Sequence, residues 1–185
     1  MLPIIIVVII IFGGAIFALS NVIGRSTTGA TPIMANGTKQ ISATKPLFKQ
    51  TLNKSFDFPL KDENGKELSK LHYVIQSAEV DNQIIIKGQP ASAIEGRSFL
   101  VLNLQITNNY NKSIQLNTRD YVRLITRNSS EKLAADIHND PVEVQAISTK
   151  YTRIGFAINT DDAKALTLQV GEIQGPKQTV ALDLQ

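Results

Sequence analysis

The residues best suited to chemistry lie in one short run, Asp136-Ile137-His138-Asn139-Asp140, where four oxygen- or nitrogen-bearing side chains fall within five positions. Such a run can hold a divalent cation, with Asp161-Asp162 as further ligands if the fold brings them near, or it can supply acid–base groups from Asp136, His138 and Asp140. Its composition argues against both. Hard-cation loops place Asp or Asn at alternate positions around a turn glycine, and this run has no such glycine before Pro141. The simpler expectation is a polar loop whose side chains cap their own turns. With two His and no Cys in the chain, thiol nucleophiles, thiolate zinc sites and His-rich metal sites are excluded. A Gly-rich phosphate loop and a G-x-S-x-G elbow are both missing. His72 alternates with Leu71 and Tyr73 and reads as a solvent-facing strand residue. Catalytic, cofactor-binding and metal residues are therefore all expected to be none.

The segments around this run decide where it sits. Residues 1–24 carry no charged side chain, and Leu2–Leu19 is almost wholly apolar. Eighteen residues at about 1.5 Å each make a helix of roughly 27 Å, enough to cross a bilayer's hydrocarbon core. A basic n-region is lacking and the run exceeds a signal peptide's usual apolar stretch, so residues 1–24 are expected to be a transmembrane anchor held by lipid through residues 2–19. Arg25 favours a cytoplasmic C-terminus, although long domains translocate largely regardless of flanking charge. Gly14 and Ala18 form a small-xxx-small pair suited to helix contact.

Residues 25–54 are rich in Ser, Thr, Gly, Ala and Pro, and their five charges are all positive. This composition predicts a flexible basic linker with a root-mean-square reach of about 30 Å. Residues 55–185 hold 14 Lys and Arg against 16 Asp and Glu. The chain's excess of positive charge thus resides in the linker, and no nucleic-acid partner is expected.

The domain at 55–185 reads as strands. In Phe99–Thr107, Leu100, Leu102, Leu104 and Ile106 share one face, a period of two that no helix uses. The pattern recurs at Ile154/Phe156/Ile158, Leu166/Leu168/Val170 and Val180/Leu182/Leu184, with shorter runs at 71–80, 83–87, 113–116, 121–126 and 142–147. Asn64-Gly65 predicts a type I′ hairpin turn, and Asp81-Asn82 divides two apolar runs in the same way. Only Glu131–Asp136 carries a helical signal. Eight or nine short strands make an all-β, immunoglobulin-like antiparallel sandwich the expected fold. Asn36, Asn53, Asn111 and Asn128 begin N-x-S/T sequons, against roughly two that chance would supply in so Asn- and Ser/Thr-rich a chain, an excess that decides nothing.

The order Ile106-Thr107-Asn108-Asn109, Ser113-Ile114-Gln115-Leu116, Asp120-Tyr121-Val122-Arg123-Leu124, Gly155-Phe156-Ala157-Ile158 and Ala165-Leu166-Thr167-Leu168 carries a resemblance over residues 68–185. It resembles the immunoglobulin-like domains of unknown function of bacterial surface lipoproteins and membrane-anchored proteins, related in fold to mycobacterial secreted immunoprotective antigens. The family's Pro-Gly before the Gly/Phe strand is replaced here by Ser148-Thr149-Lys150. The resemblance implies an extracytoplasmic domain and brings no catalytic residues. The expected function is a non-enzymatic binding or spacer module at the cell surface, its partner an unknown surface protein or envelope ligand. The alternative is a surface-filament subunit built on the N-terminal hydrophobic helix.

Overall fold

The computed structural model describes residues 45–127 and 129–184. The anchor at 1–24, the Gly14/Ala18 pair, most of the linker and the sequons at Asn36 and Asn128 lie outside the described residues. Among the described residues no helix is long and apolar enough to cross a membrane.

Eleven strands follow in order: β1 (Phe48–Lys61), β2 (Glu67–Asp81), β3 (Gln83–Ile86), β4 (Gln89–Ser92), β5 (Arg97–Asn108), β6 (Ile114–Leu116), β7 (Val122–Thr126), β8 (Val142–Val144), β9 (Ser148–Asn159), β10 (Leu166–Val170) and β11 (Gln178–Leu182). All pairings are antiparallel. One sheet has the order β1-β2-β5-β9 and another β11-β10-β7, with β3–β4 and β6–β8 as separate pairs. Side chains from both main sheets form one continuous core. The domain is a β-sandwich.

Strand β5 is its centre. Leu100, Leu102, Leu104 and Ile106 are all buried, as is Phe156, the register partner of Leu100 on β9, and Leu168 on β10. The same face continues to Asn108, which is fully buried instead of opening an exposed loop. Its amide nitrogen donates to the carbonyls of Lys112 (2.9 Å), Val144 (3.2 Å) and Gln145 (3.0 Å), and its oxygen accepts the Tyr110 N–H (2.9 Å). One side chain therefore satisfies a loop and a strand end that the ladders leave unpaired.

Strand β2 keeps its apolar face through a bulge. Leu71, Tyr73 and Ile75 face the core, the register shifts at Gln76, and Ala78 and Val80 resume the same face.

Several boundaries differ from those the composition suggested. Residues 48–54, assigned to the linker, belong to β1. Their alternation is weak and broken by a bulge at Leu52–Asn53, where Asn53 has φ 48°. Pairing with β2 makes them a strand, supported by the Lys49–Glu79 ion pair at 2.7 Å. Asn64-Gly65 does turn the chain between β1 and β2, but only Gly65 has positive φ (79°). The Asp62 carboxylate holds the loop by accepting the Asn64 and Lys66 N–H groups (2.9 Å each). Asp81-Asn82 is no hairpin turn, because β3 pairs with β4 and not with β2. The two-residue hairpin is at Lys87-Gly88, where φ is positive at both positions. Glu131–Asp136 forms no helical turn. Short 3-10 turns occur at Thr118–Tyr121 and Thr160–Lys164.

Leu102→Ala should cost about 2–5 kcal/mol of stability, as for other buried leucines. Asn108→Ala should cost about 2–3 kcal/mol through the buried carbonyls it strands, whereas Asn103→Ala, on the outer face, should stay below about 1. Equilibrium denaturant unfolding of the three variants checks this order, and equal losses at 102 and 103 would contradict the register.

Candidate functional site

The Asp136–Asp140 run lies on a strap that closes one side of the sandwich. Leu133 exchanges both backbone bonds with Leu124 of β7 (2.9 Å each). Ile137 does the same with Gly155 of β9: its N–H reaches Gly155 O at 3.1 Å, and its own carbonyl receives the Gly155 N–H at 2.7 Å. The approach at Gly155 is tight, since a Cβ there would stand 3.3 Å from two carbons of the Ile137 side chain. On the opposite side, the Gln50 side chain of β1 accepts the Asp183 N–H just beyond β11 (2.9 Å).

The strap's acidic end is structural. The Asp140 side chain is 3% exposed. One carboxylate oxygen accepts the Thr118 N–H (2.8 Å) and hydroxyl (2.6 Å), and the other accepts the Arg119 N–H (3.1 Å). These amides begin the 3-10 turn at Thr118, so Asp140 caps it from another part of the chain. Thr118 is itself fully buried, and its carbonyl accepts the Tyr73 hydroxyl at 3.3 Å. Burial, then the nearby Asp140 carboxylate and Tyr121, push the Tyr73 phenol well above its ordinary pKa and keep it neutral as a donor. The His138 ring lies between these groups, with Nε2 3.2 Å from the Arg119 guanidinium and Nδ1 3.5 Å from the Asp140 carboxylate. The Asp140 N–H lies 3.2 Å from that same Nδ1.

The remaining acids do not join this group. Asp136 is exposed and lines, with Asp162 and Glu131, a surface cleft of about 490 Å³. Asp162 accepts from the Asn159 amide (3.0 Å). Among the described residues no three His, Asp or Glu side chains converge as a metal site. His72 is half-exposed on the outer face of β2, bonded through Nδ1 to its cross-strand partner Asp57 at 2.7 Å.

What composition did not mark is the outer face of the four-stranded sheet. Hydrogen-bonding side chains run across it in rows: Asp57, His72, Thr107 and Thr149; then Gln105 and Tyr151, with Gln76 of the bulge bonded to Gln105; then Ser77, Asn103 and Arg153. Thr107 bonds Thr149 (2.8 Å), Gln76 donates to Gln105 (3.0 Å) and Asn103 donates to Ser77 (2.9 Å). Tyr151 stands 64% exposed. The β3–β4 hairpin meets this face, where Arg153 donates to the Ile85 carbonyl, and Ile84 and Val101 are buried. Asp81, at the hairpin's root, is also buried. Desolvation, reinforced by Glu79 and opposed by Arg153 and Lys49, raises its pKa from 3.8 to about 6.

Beyond the edge of β9 a cleft of about 580 Å³ opens between Lys150–Arg153 and the wall Asn139, Pro141, Val142 and Glu143. Its origin is traceable. Extending the Ile137–Gly155 pairing would put Asn139 opposite Arg153 and Pro141 opposite Tyr151. Pro141 has no N–H, and Asp140 draws the chain away to Thr118, so the strap leaves β9 there.

No family model matches the chain, and no curated protein matches it. Among the solved structures that share the fold are two crystal structures. A conserved hypothetical protein from Bacillus anthracis has a TM-score of 0.51 and 13% identity, covering 77% of this chain and 99% of that one. An uncharacterized beta-sandwich protein from Clostridium difficile 630 has a TM-score of 0.52 and 12% identity, covering 72% and 92%. At such identities the likeness is one of fold alone.

Asp140→Ala should destabilise the domain by about 2–4 kcal/mol, since it leaves buried amides unpaired. This loss should be the same with and without calcium. A site of about 10 μM affinity would gain about 2.7 kcal/mol in 1 mM calcium. We expect a calcium shift below about one degree, and a rise of several degrees that vanishes in Asp140→Ala would refute the capping role.

Asp81 gives a pH signature. Its folded pKa, about 6, exceeds the ordinary 3.8, so its stabilising contribution is complete below 3.8 and is lost as pH rises through 6. Asp81→Asn should therefore raise stability at pH 7.5 by about 1–2 kcal/mol. The difference from the parent chain should shrink towards pH 4, as denaturant unfolding at several pH values would measure.

Proposed function

We propose that this chain is a membrane-anchored, extracytoplasmic immunoglobulin-like module that binds or spaces at the cell surface without catalysing a reaction. The observation carrying this reading is the outer face of the β1-β2-β5-β9 sheet with its adjoining cleft: hydrogen-bonding rows and an exposed tyrosine on a rigid sheet. Rigid strands hold such groups in fixed positions, which suits recognition. The buried carboxylate of the His138–Asp140 pair is spent on capping, which supports a non-catalytic reading. The apolar run at residues 2–19 and the basic composition after it support an anchor and a tether. The resemblance to lipoprotein and membrane-anchored immunoglobulin-like domains supports the outer side of the membrane.

Protease treatment of intact cells tests this. The domain should be removed from outside, and deletion of residues 1–24 should move the protein out of the membrane fraction. A domain cleaved only after lysis, or a truncated chain still in the membrane, would overturn the reading.

A further inference from the structure

We propose that the cleft beside β9 is a strand-addition site, which takes an acidic peptide in extended conformation. The inference rests on reading the domain as a binding module and names the partner class of that same site.

The geometry starts from the strap. A strand residue turns its N–H and C=O to one edge, and successive residues alternate. Gly155 spends both groups on Ile137, away from β5. The β5–β9 register runs unbroken from Asn159 to Ser148, so Tyr151 and Arg153 turn their backbone groups to the same outer edge as Gly155. Neither strand nor side chain among the described residues bonds them there. The edge thus offers two donors and two acceptors, spaced as in any antiparallel ladder, along the floor of the cleft. The strap should cover them, but Pro141 and the Asp140 cap hold it off. Bare edges of this kind are templates for pairing with another chain, and extended peptides use them by adding a strand.

Charge selects among peptides. Lys150 and Arg153 line the cleft against Glu143. Glu143 already accepts from Ser113 (3.0 Å) and Gln145 (2.8 Å), and Arg153 is bonded to Ile85 O. The Lys150 ammonium makes no ion pair among the described residues. A carboxylate on the incoming strand complements it. Exposed Tyr151 adds a ring for a side chain of the added strand to pack on.

The probe is a short, end-blocked, fluorescently labelled peptide alternating valine and glutamate, titrated into the full-length chain in mild detergent. Two controls accompany it: the same peptide with every amide N-methylated, which keeps charge and extended shape but cannot donate, and a valine–lysine version. We expect saturable binding of the glutamate peptide, with at least about tenfold weaker binding of the N-methylated one, equivalent to losing one or two backbone bonds. Lys150→Glu should lower affinity for the glutamate peptide and reverse the preference toward lysine. Hydrogen exchange should slow at the Tyr151 and Arg153 amides on adding peptide and stay unchanged at Gly155. Equal binding of the N-methylated peptide would make the cleft only a charged patch and overturn the inference. Absence of saturable binding or of amide protection would overturn it too. Because anchoring and exposure are read by cell fractionation and protease treatment, either failure leaves the surface-module reading standing.

Discussion

A strap of about ten residues depends on two backbone bridges, and most of the unusual features of this domain depend on the strap. A sandwich of two antiparallel sheets has open sides where edge strands present unpaired N–H and C=O groups. Here Leu133 bonds the edge of one sheet and Ile137 the edge of the other, so a single segment closes one side. That closure is tight at Gly155, where an added Cβ would crowd Ile137 at 3.3 Å. It requires the segment to leave β9 again, since β8 must then pair with β6.

Asp140 governs that departure. Its carboxylate is buried, and burying a charge is costly unless donors surround it. Two backbone amides and a hydroxyl from Thr118 and Arg119 meet that need, and the Tyr73 hydroxyl extends the network into the aromatic group of Phe58, Tyr73 and Tyr121. Asn108 performs the corresponding task for the loop after β5. Both are polar residues whose value is to satisfy backbone groups that strands leave over. The bare edge at Tyr151 and Arg153 is the consequence on the solvent side: a polypeptide segment pulled inward by one carboxylate cannot also pair with the strand beside it.

Much of this was legible in the chain. The alternation of Leu100, Leu102, Leu104 and Ile106 identified the central strand because burial of one face enforces a period of two. The β2 bulge was legible in principle, since the apolar positions change parity between Ile75 and Ala78. The Lys87-Gly88 turn was harder to see, because lysine seldom adopts positive φ and carries no turn signature. Residues 48–54 passed for linker because an edge strand's pattern is diluted by exposure on one face and by a bulge. Asp136–Asp140 suggested ligands by residue type, and its lack of a turn glycine pointed to side chains capping their own turns. The capped turn, however, lies about twenty residues earlier in the chain.

The sequence by itself determined the class of fold and the inward face of each long strand, because both follow from local periodicity and the cost of exposing apolar surface. It also determined that residues 2–19 are apolar enough to span a bilayer. Only the tertiary structure decided which polar residues are buried and what each satisfies. Asn108, Asp140 and Asp81 have no local mark separating them from surface Asn and Asp, since their partners come from other strands. The cleft along β9 was decided there as well, for it arises where a pairing stops, and a stopped pairing belongs to two segments and not to either sequence alone.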